Sequence, residues 1–309
     1  MLDSVQLILV ILCSIFIANY LYLRWSSATR RKTSIEMTEA FSNQDEDTSV
    51  AIYGIDHIYD DFYAKVYDQV VDGKVRQEVE THFTLDWAKS YRPDVKTIQA
   101  LDVGCGTGGH VDHFRTQGVG KVIGIDLSEA MIRQGREKYP KADLRVGNAE
   151  VATTFAAGEF NLITMYYFTY YYLKDRDSCL RNIFLWLQPG SCFVVHGVNR
   201  EKFDPILEAA SPFVGFSVQK YSKERVSRSK VSFDKFDYEA DFQHEGSDAK
   251  FREEFRFKNG KVRRQIHSLR IPTMEELVAE VESAGFTYKK FIDMTAIGYE
   301  YQYLFCFVR

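Results

Sequence analysis

The chain has 309 residues, 45% hydrophobic and 27% charged, with 39 Lys and Arg against 43 Asp and Glu. That composition excludes a mostly disordered chain and a mini-protein held by staples, and a net charge of −4 supplies no basic face for nucleic acid. The five cysteines, Cys13, Cys105, Cys179, Cys192 and Cys306, lack CxxC spacing, so neither a zinc site nor a disulfide framework is expected and a reducing compartment fits.

Val5 to Leu23 are 19 residues without a charge, enough at about 1.5 Å per residue to cross roughly 30 Å of hydrocarbon. Tyr20, Tyr22 and Trp25 gather at one end as an interfacial belt, and Arg24, Arg30, Arg31 and Lys32 follow, against Asp3 alone before the run. The expectation is a single-pass membrane protein, with residues 1–25 as a transmembrane anchor that spans at 5–23 and the bulk of the chain facing the cytoplasm. A cleaved signal peptide is the alternative, but the positive n-region is missing and the apolar run exceeds a usual h-region. Residues 26–51, rich in Ser, Thr, Asn and charge, read as a flexible linker, and residues 52–309 as the globular domain.

Within Ile55 to Val71, apolar and aromatic residues recur at three and four spacings and make a wide helical stripe. A helix over Lys74 to Ser90 follows, then a short apolar strand, Ile98 to Val103, that runs directly into Gly104-Cys105-Gly106-Thr107-Gly108-Gly109 and a helix. Further strands are expected at Lys121 to Ile125, Asp143 to Val146, Phe160 to Met165 and Ser191 to Gly197, with helices at Glu129 to Lys138 and Arg176 to Leu187 between them. Such alternation predicts an α/β, doubly wound Rossmann-like sheet. Alternating stretches at Val231 to Phe242, Lys250 to Phe257 and Lys261 to Leu269, with Asn259-Gly260 as a turn, predict an antiparallel β meander inserted at about 220–271. Thr273 and Glu276 form a capping box for a last helix, and strands at Tyr288 to Met294 and Tyr301 to Val308 complete a seven-stranded sheet.

The glycines fit both GxGxxG and GxGxG, and either pattern lets backbone approach a ligand at a helix N-terminus. The neighbouring acid separates them, because Asp102 beside a pyrophosphate would repel it, whereas a ligand with an ammonium and a sulfonium would be favoured. Ala100 to Gly108 (ALDVGCGTG) resembles motif I of the class I S-adenosylmethionine-dependent methyltransferases. The resemblance implies that Asp102, Gly104, Cys105, Gly106 and Gly108 cradle the methionine end of S-adenosyl-L-methionine. It also implies that Asp126, 22 residues after Gly104, takes the ribose hydroxyls, with Leu127 and Met131 near the adenine. Gly147-Asn148-Ala149-Glu150 resembles the family segment that contacts the adenine amino group, with Asn148 in place of the more usual Asp and Ala149 beside it. The turn Leu187 to Ser191 resembles the family's LKPGG, and together these matches cover about Ala100 to Gly197.

Methyl transfer needs alignment and exclusion of water more than a dedicated nucleophile, so acceptor residues are argued from position. The stretch after the fourth core strand, Tyr166-Tyr167-Phe168-Thr169-Tyr170-Tyr171-Tyr172, lies where ligands bind in such sheets. Tyr166 is expected at the cofactor and Tyr167 and Tyr171 at the transferred methyl, with core packing as the plainer reading for each ring. The helix Tyr59 to Asp68 and the meander resemble the branch containing sugar N-methyltransferases and glycine or sarcosine-type enzymes. That resemblance implies that Tyr63 and Tyr67 close over the cofactor and that His267, with a reference pKa of about 6.5, stands as a base. A packed strand histidine is the competing reading. His110 and His113 lack a third ligand, so no metal is expected. The basic run Lys220 to Lys230 suits phosphates, lipid headgroups or plain solvent equally. The partners expected are a small-molecule methyl acceptor, amine or lipid-like, and the membrane. A protein methyltransferase and a non-catalytic anchored scaffold are the alternatives.

Overall fold

Short β-branched and aromatic runs separated by amphipathic stretches fold here into two sheets. A computed structural model describes residues 50–53 (backbone), 57–71, 74–205 and 225–309. The predicted span 5–23, the linker up to residue 49 and residues 220–224 of the predicted insertion lie outside the described residues. Among those described, no helix is long and apolar enough to cross a membrane.

In chain order the elements are β1 (Val50–Tyr53), α1 (Asp61–Val71), α2 (Lys74–Ala88), β2 (Gln99–Val103), α3 (Gly109–Thr116), β3 (Lys121–Asp126), α4 (Glu129–Lys138), β4 (Asp143–Val146), β5 (Phe160–Met165), α5 (Thr169–Tyr172), α6 (Arg176–Trp186) and β6 (Leu187–Val198). There follow β7 (Arg228–Ser232), β8 (Phe236–Glu245), β9 (Asp248–Phe257), β10 (Val262–Arg270), α7 (Met274–Ser283), β11 (Thr287–Asp293) and β12 (Gln302–Val308). The seven-stranded sheet has the order β11-β12-β6-β5-β2-β3-β4. β2 lies between β3 and β5, parallel to both, and β12 is antiparallel to β6 and β11. The strand order reverses beside β2, so its carboxyl end opens the crevice where ligands of such sheets bind. The centre is buried on both faces, as the unbroken burial of Phe160 to Met165 records.

The meander is a sheet of order β1-β10-β9-β8-β7. Sequence reasoning merged β7 with β8, because Phe233 donates to the Phe236 carbonyl in a turn that contains no glycine. It also missed β1, which pairs parallel with β10. The first predicted helix is shorter than its stripe: residues 57–60 are a turn, and α1 begins at Asp61. One face of α1 packs Phe62, Val66 and Val70 against Phe236, Tyr238 and Phe255 of the meander, joining the small sheet to the large one. The capping box on α7 forms as expected, with Glu276 N–H donating to Thr273 Oγ1 at 3.1 Å and Thr273 N–H to Glu276 Oε2 at 2.7 Å.

Candidate active site

The loop between β2 and α3 holds Gly104, Gly106 and Gly108 at φ of 69°, 55° and 82°, a region that side-chain-bearing residues seldom enter. Gly104 is further fixed by contact, since a Cβ there would lie 2.3 Å from Thr169 Cγ2. Across the loop, the Asp126 carboxylate accepts from Gly106 N–H at 2.9 Å and Ser128 N–H at 2.8 Å. Burial raises this carboxyl above its ordinary value, and the two amide donors counter part of the rise. Leu127, next to it, is 71% exposed, an apolar surface left for a flat ring. A half-buried strand-end carboxylate, a glycine-rich loop and an exposed leucine together fit the ribose, methionine and adenine parts of adenosylmethionine.

Behind the loop lies a second polar layer. Asp102 is buried and accepts from Thr164 Oγ1 at 2.8 Å; burial pushes its carboxyl up to about 6, against the opposing pull of His110 and Thr164. Burial would also raise Glu80, but Arg76 at 2.8 Å and His110 at 2.7 Å bring it down to about 2. His196 is lowered to about 4 by burial and by Arg76, so it stays neutral near pH 7. Its Nδ1–H must donate to the Tyr167 carbonyl (2.5 Å), which leaves Nε2 to accept from Arg76 Nη2 at 2.9 Å. Tyr167 is held there at φ 52°, with the Arg76 guanidinium 4.7 Å from its ring centre.

The meander supplies the third layer. Glu253 on β9 is buried and accepts from Tyr63 Oη at 3.0 Å, Tyr238 Oη at 2.5 Å, the Gln265 amide and His267 Nε2 at 2.5 Å. Burial alone would raise this carboxyl, yet His267 and the donated hydrogen bonds bring it below its ordinary value, so it is a carboxylate. His267 therefore donates from Nε2 and accepts on Nδ1 from Tyr172 Oη at 2.5 Å. Tyr59 faces this group, its ring 5.9 Å from Tyr172 and 6.0 Å from His267. Tyr67, 5.9 Å from Tyr63, reaches Gly106 from the same helix, so that α1 covers the glycine loop and, through Tyr63, contacts Glu253.

Several expected residues sit elsewhere. Tyr171 is buried with its hydroxyl accepting from Val198 N–H at 2.9 Å, and Tyr166 is buried on α2 and α3, donating to Thr84 at 2.7 Å and stacked 4.1 Å from His110. Both pack the core. Tyr63 is buried with its hydroxyl donating to Glu253, and Met131 is 1% exposed in a cluster with Ile58 and Phe62. Cys105 is buried and its thiol is raised by burial, so it contributes backbone alone. Asn148 Oδ1 accepts from Glu150 N–H at 2.8 Å, and the carbonyl of buried Ala149 accepts from Asn182. Sequence reasoning missed Glu253, and within the run Tyr166 to Tyr172 it singled out Tyr166, Tyr167 and Tyr171 and not Thr169 or Tyr172. The available signal was register: Ala249, Phe251, Glu253 and Phe255 share one face of β9, where a lone carboxylate among apolar neighbours needs partners.

The sheet order with its glycine loop and strand-end acid defines an α/β domain of the class I methyltransferase type. Residues 100–190 match the family described as "Methyltransferase domain". It is 29% identical over 143 residues to a dTDP-4-amino-2,3,4,6-tetradeoxy-D-glucose N,N-dimethyltransferase of Saccharopolyspora spinosa, covering 45% of this chain and 55% of that one. It is 30% identical over 149 residues to a dTDP-3-amino-3,4,6-trideoxy-alpha-D-glucopyranose N,N-dimethyltransferase of Streptomyces venezuelae, covering 47% and 58%. The chain thus spans little more than half the length of these curated relatives. Its fold is that of an amino pentose methyltransferase from Micromonospora echinaspora solved with SAM bound, at TM-score 0.57 and 22% identity over 79% of this chain and 96% of that one. An S-adenosylmethionine-dependent methyltransferase from Clostridium acetobutylicum aligns at TM-score 0.60 and 15% identity, covering 80% and 97%.

Proposed function

We propose that the protein transfers a methyl group from adenosylmethionine to the nitrogen of a small amine. Bound at the glycine loop, adenosylmethionine supplies a methyl carbon on a positively charged sulfur. Gly104 to Gly108 and Asp126 hold it, Tyr67 and Tyr167 flank it and keep water out, and the pair His267–Glu253 takes up the acceptor's proton. The observation that carries this reading is that buried imidazole–carboxylate pair, 2.5 Å apart and approached by the same helix that covers the glycine loop. An amine is cationic near neutrality and must lose a proton before it can attack, which is work for a base, and aromatic walls suit a cation before and after transfer. The curated relatives act, by their names, on amino sugars, which supports an amine acceptor. The covering helix α1 speaks against a long peptide groove.

Residues 5–23 are proposed to anchor the domain on the cytoplasmic face of a membrane, on the strength of their apolar run and flanking charge. Labelled adenosylmethionine incubated with the full chain and an amine fraction of a cell extract tests the activity. Label moving into small amines supports it, and label found only in protein or nowhere refutes it. Recovery of the chain in the soluble fraction after carbonate washing would refute the anchor.

A further inference from the structure

A carboxylate offers about four acceptor positions, and Glu253 fills them with Tyr63, Tyr238, Gln265 and His267. His267 is 1% exposed and both ring nitrogens are engaged, Nε2 with Glu253 and Nδ1 with Tyr172. Neither group has a free position for an acceptor. Tyr172 differs: it is half-buried, its hydroxyl donates to His267 and accepts from Tyr59, and its oxygen has a second lone pair beyond these two bonds. The groups that face it are His267 and Glu253 from the meander, Tyr59 and Tyr67 from the chain covering the loop, and Tyr167 from its own turn. Tyr67 also lies 3.9 Å from where a Cβ on Gly106 would stand, so this aromatic wall spans from the glycine loop to His267.

Resting on the methyl-transfer reading above, we propose that Tyr172 is the catalytic residue that touches the acceptor, with His267 and Glu253 acting through it as a proton relay. The N–H bond of an ammonium acceptor breaks, and its proton passes to Tyr172 Oη as the proton of Tyr172 crosses to His267 Nδ1. The resulting imidazolium is paired with the Glu253 carboxylate. The freed nitrogen lone pair forms the new bond to the methyl carbon while the carbon–sulfur bond breaks, its electron pair staying on sulfur as a neutral thioether. The methylated nitrogen leaves as a cation, and the proton held on His267 returns through Tyr172 to solvent. Placing a phenol between base and substrate also explains why the imidazole sits so deep.

The test compares the full chain with Tyr172→Phe, His267→Gln and the double variant, using labelled adenosylmethionine and the amine fraction of a cell extract between pH 7 and 10. At pH 7 Tyr172→Phe is expected to transfer label at least about 100-fold more slowly. The deficit should narrow by about tenfold per pH unit as acceptors arrive unprotonated, and the double variant should fall no more than about threefold below the worse single one. Adenosylhomocysteine affinity, by calorimetry, should stay within about threefold in every variant, which also reports folding. A second readout needs no acceptor: the 15N resonance of His267 Nδ1 should move when the Tyr172 hydroxyl is removed. An unmoved resonance, a near-native rate in Tyr172→Phe, losses that multiply in the double variant or a deficit constant with pH would each overturn the relay. Wild-type protein that binds no adenosylhomocysteine would instead overturn the methyl-transfer reading beneath it.

Discussion

Asp126→Ala separates two roles for one carboxylate. Its oxygens accept from Gly106 and Ser128 N–H at 2.9 and 2.8 Å, so it could be only a staple between loop and strand end. Both donors are on half-buried residues, where water can replace the lost acceptor, and that loss should cost about 1 kcal/mol of stability. Ribose binding adds to this. Two hydroxyls donating to an ionised acceptor at about 1.5 kcal/mol each amount to about 3 kcal/mol, or roughly a 100-fold weaker cofactor. Calorimetric titration with adenosylhomocysteine, alongside urea unfolding without ligand, measures the two separately. Affinity preserved within about threefold while stability falls would show that the carboxylate is a staple alone and that the ribose has been placed wrongly.

Other perturbations follow from the same contacts. Asp102 is raised from its ordinary value of 3.8 to about 6 in the folded protein, so ionising it weakens folding as pH climbs from about 4 to 6. Asp102→Asn should therefore gain up to about 3 kcal/mol over wild type at pH 8 and lose that advantage below pH 4, and an unfolding series across this range in which the gain does not grow with pH refutes the assignment. Gly104→Ala brings a Cβ to 2.3 Å from Thr169 Cγ2 at a φ of 69°, and should cost about 2–5 kcal/mol in urea unfolding, partly recovered by adding Thr169→Ala. Arg76→Met strands the fully buried Glu80 with His110 alone and should lose about 3–5 kcal/mol, whereas Arg76→Met with Glu80→Met should regain most of it; an equal loss in both would argue against a buried pair.

What the sequence disclosed and what it hid divide by distance along the chain. The glycine loop was legible because its backbone angles demand glycine locally, and Asp126 because a strand of fixed length puts it at the loop. The relay was not, since Glu253, His267 and Tyr172 are 14 and 95 positions apart and meet only once the meander folds over the crevice. His267 was found without its partners, because alternation gives its face of β10 but not what stands opposite. The tyrosine run after β5 announced importance but not assignment: Tyr167 and Tyr172 stay at the cleft while Tyr166, Tyr170 and Tyr171 are buried, a division set by a left-handed residue at Tyr167 that no spacing rule reveals.

The parallel pairing of β1 with β10 bears on how force would enter the molecule. Val50 to Tyr53 lie against Val262 to Gln265, two residues short of His267 on the same strand. Tension along the chain preceding β1 would load these four rungs in shear, the direction in which a ladder resists best because its bonds must fail together. Any drag on the N-terminal segment would thus be borne at the rim of the smaller sheet before it reached the cover over the glycines.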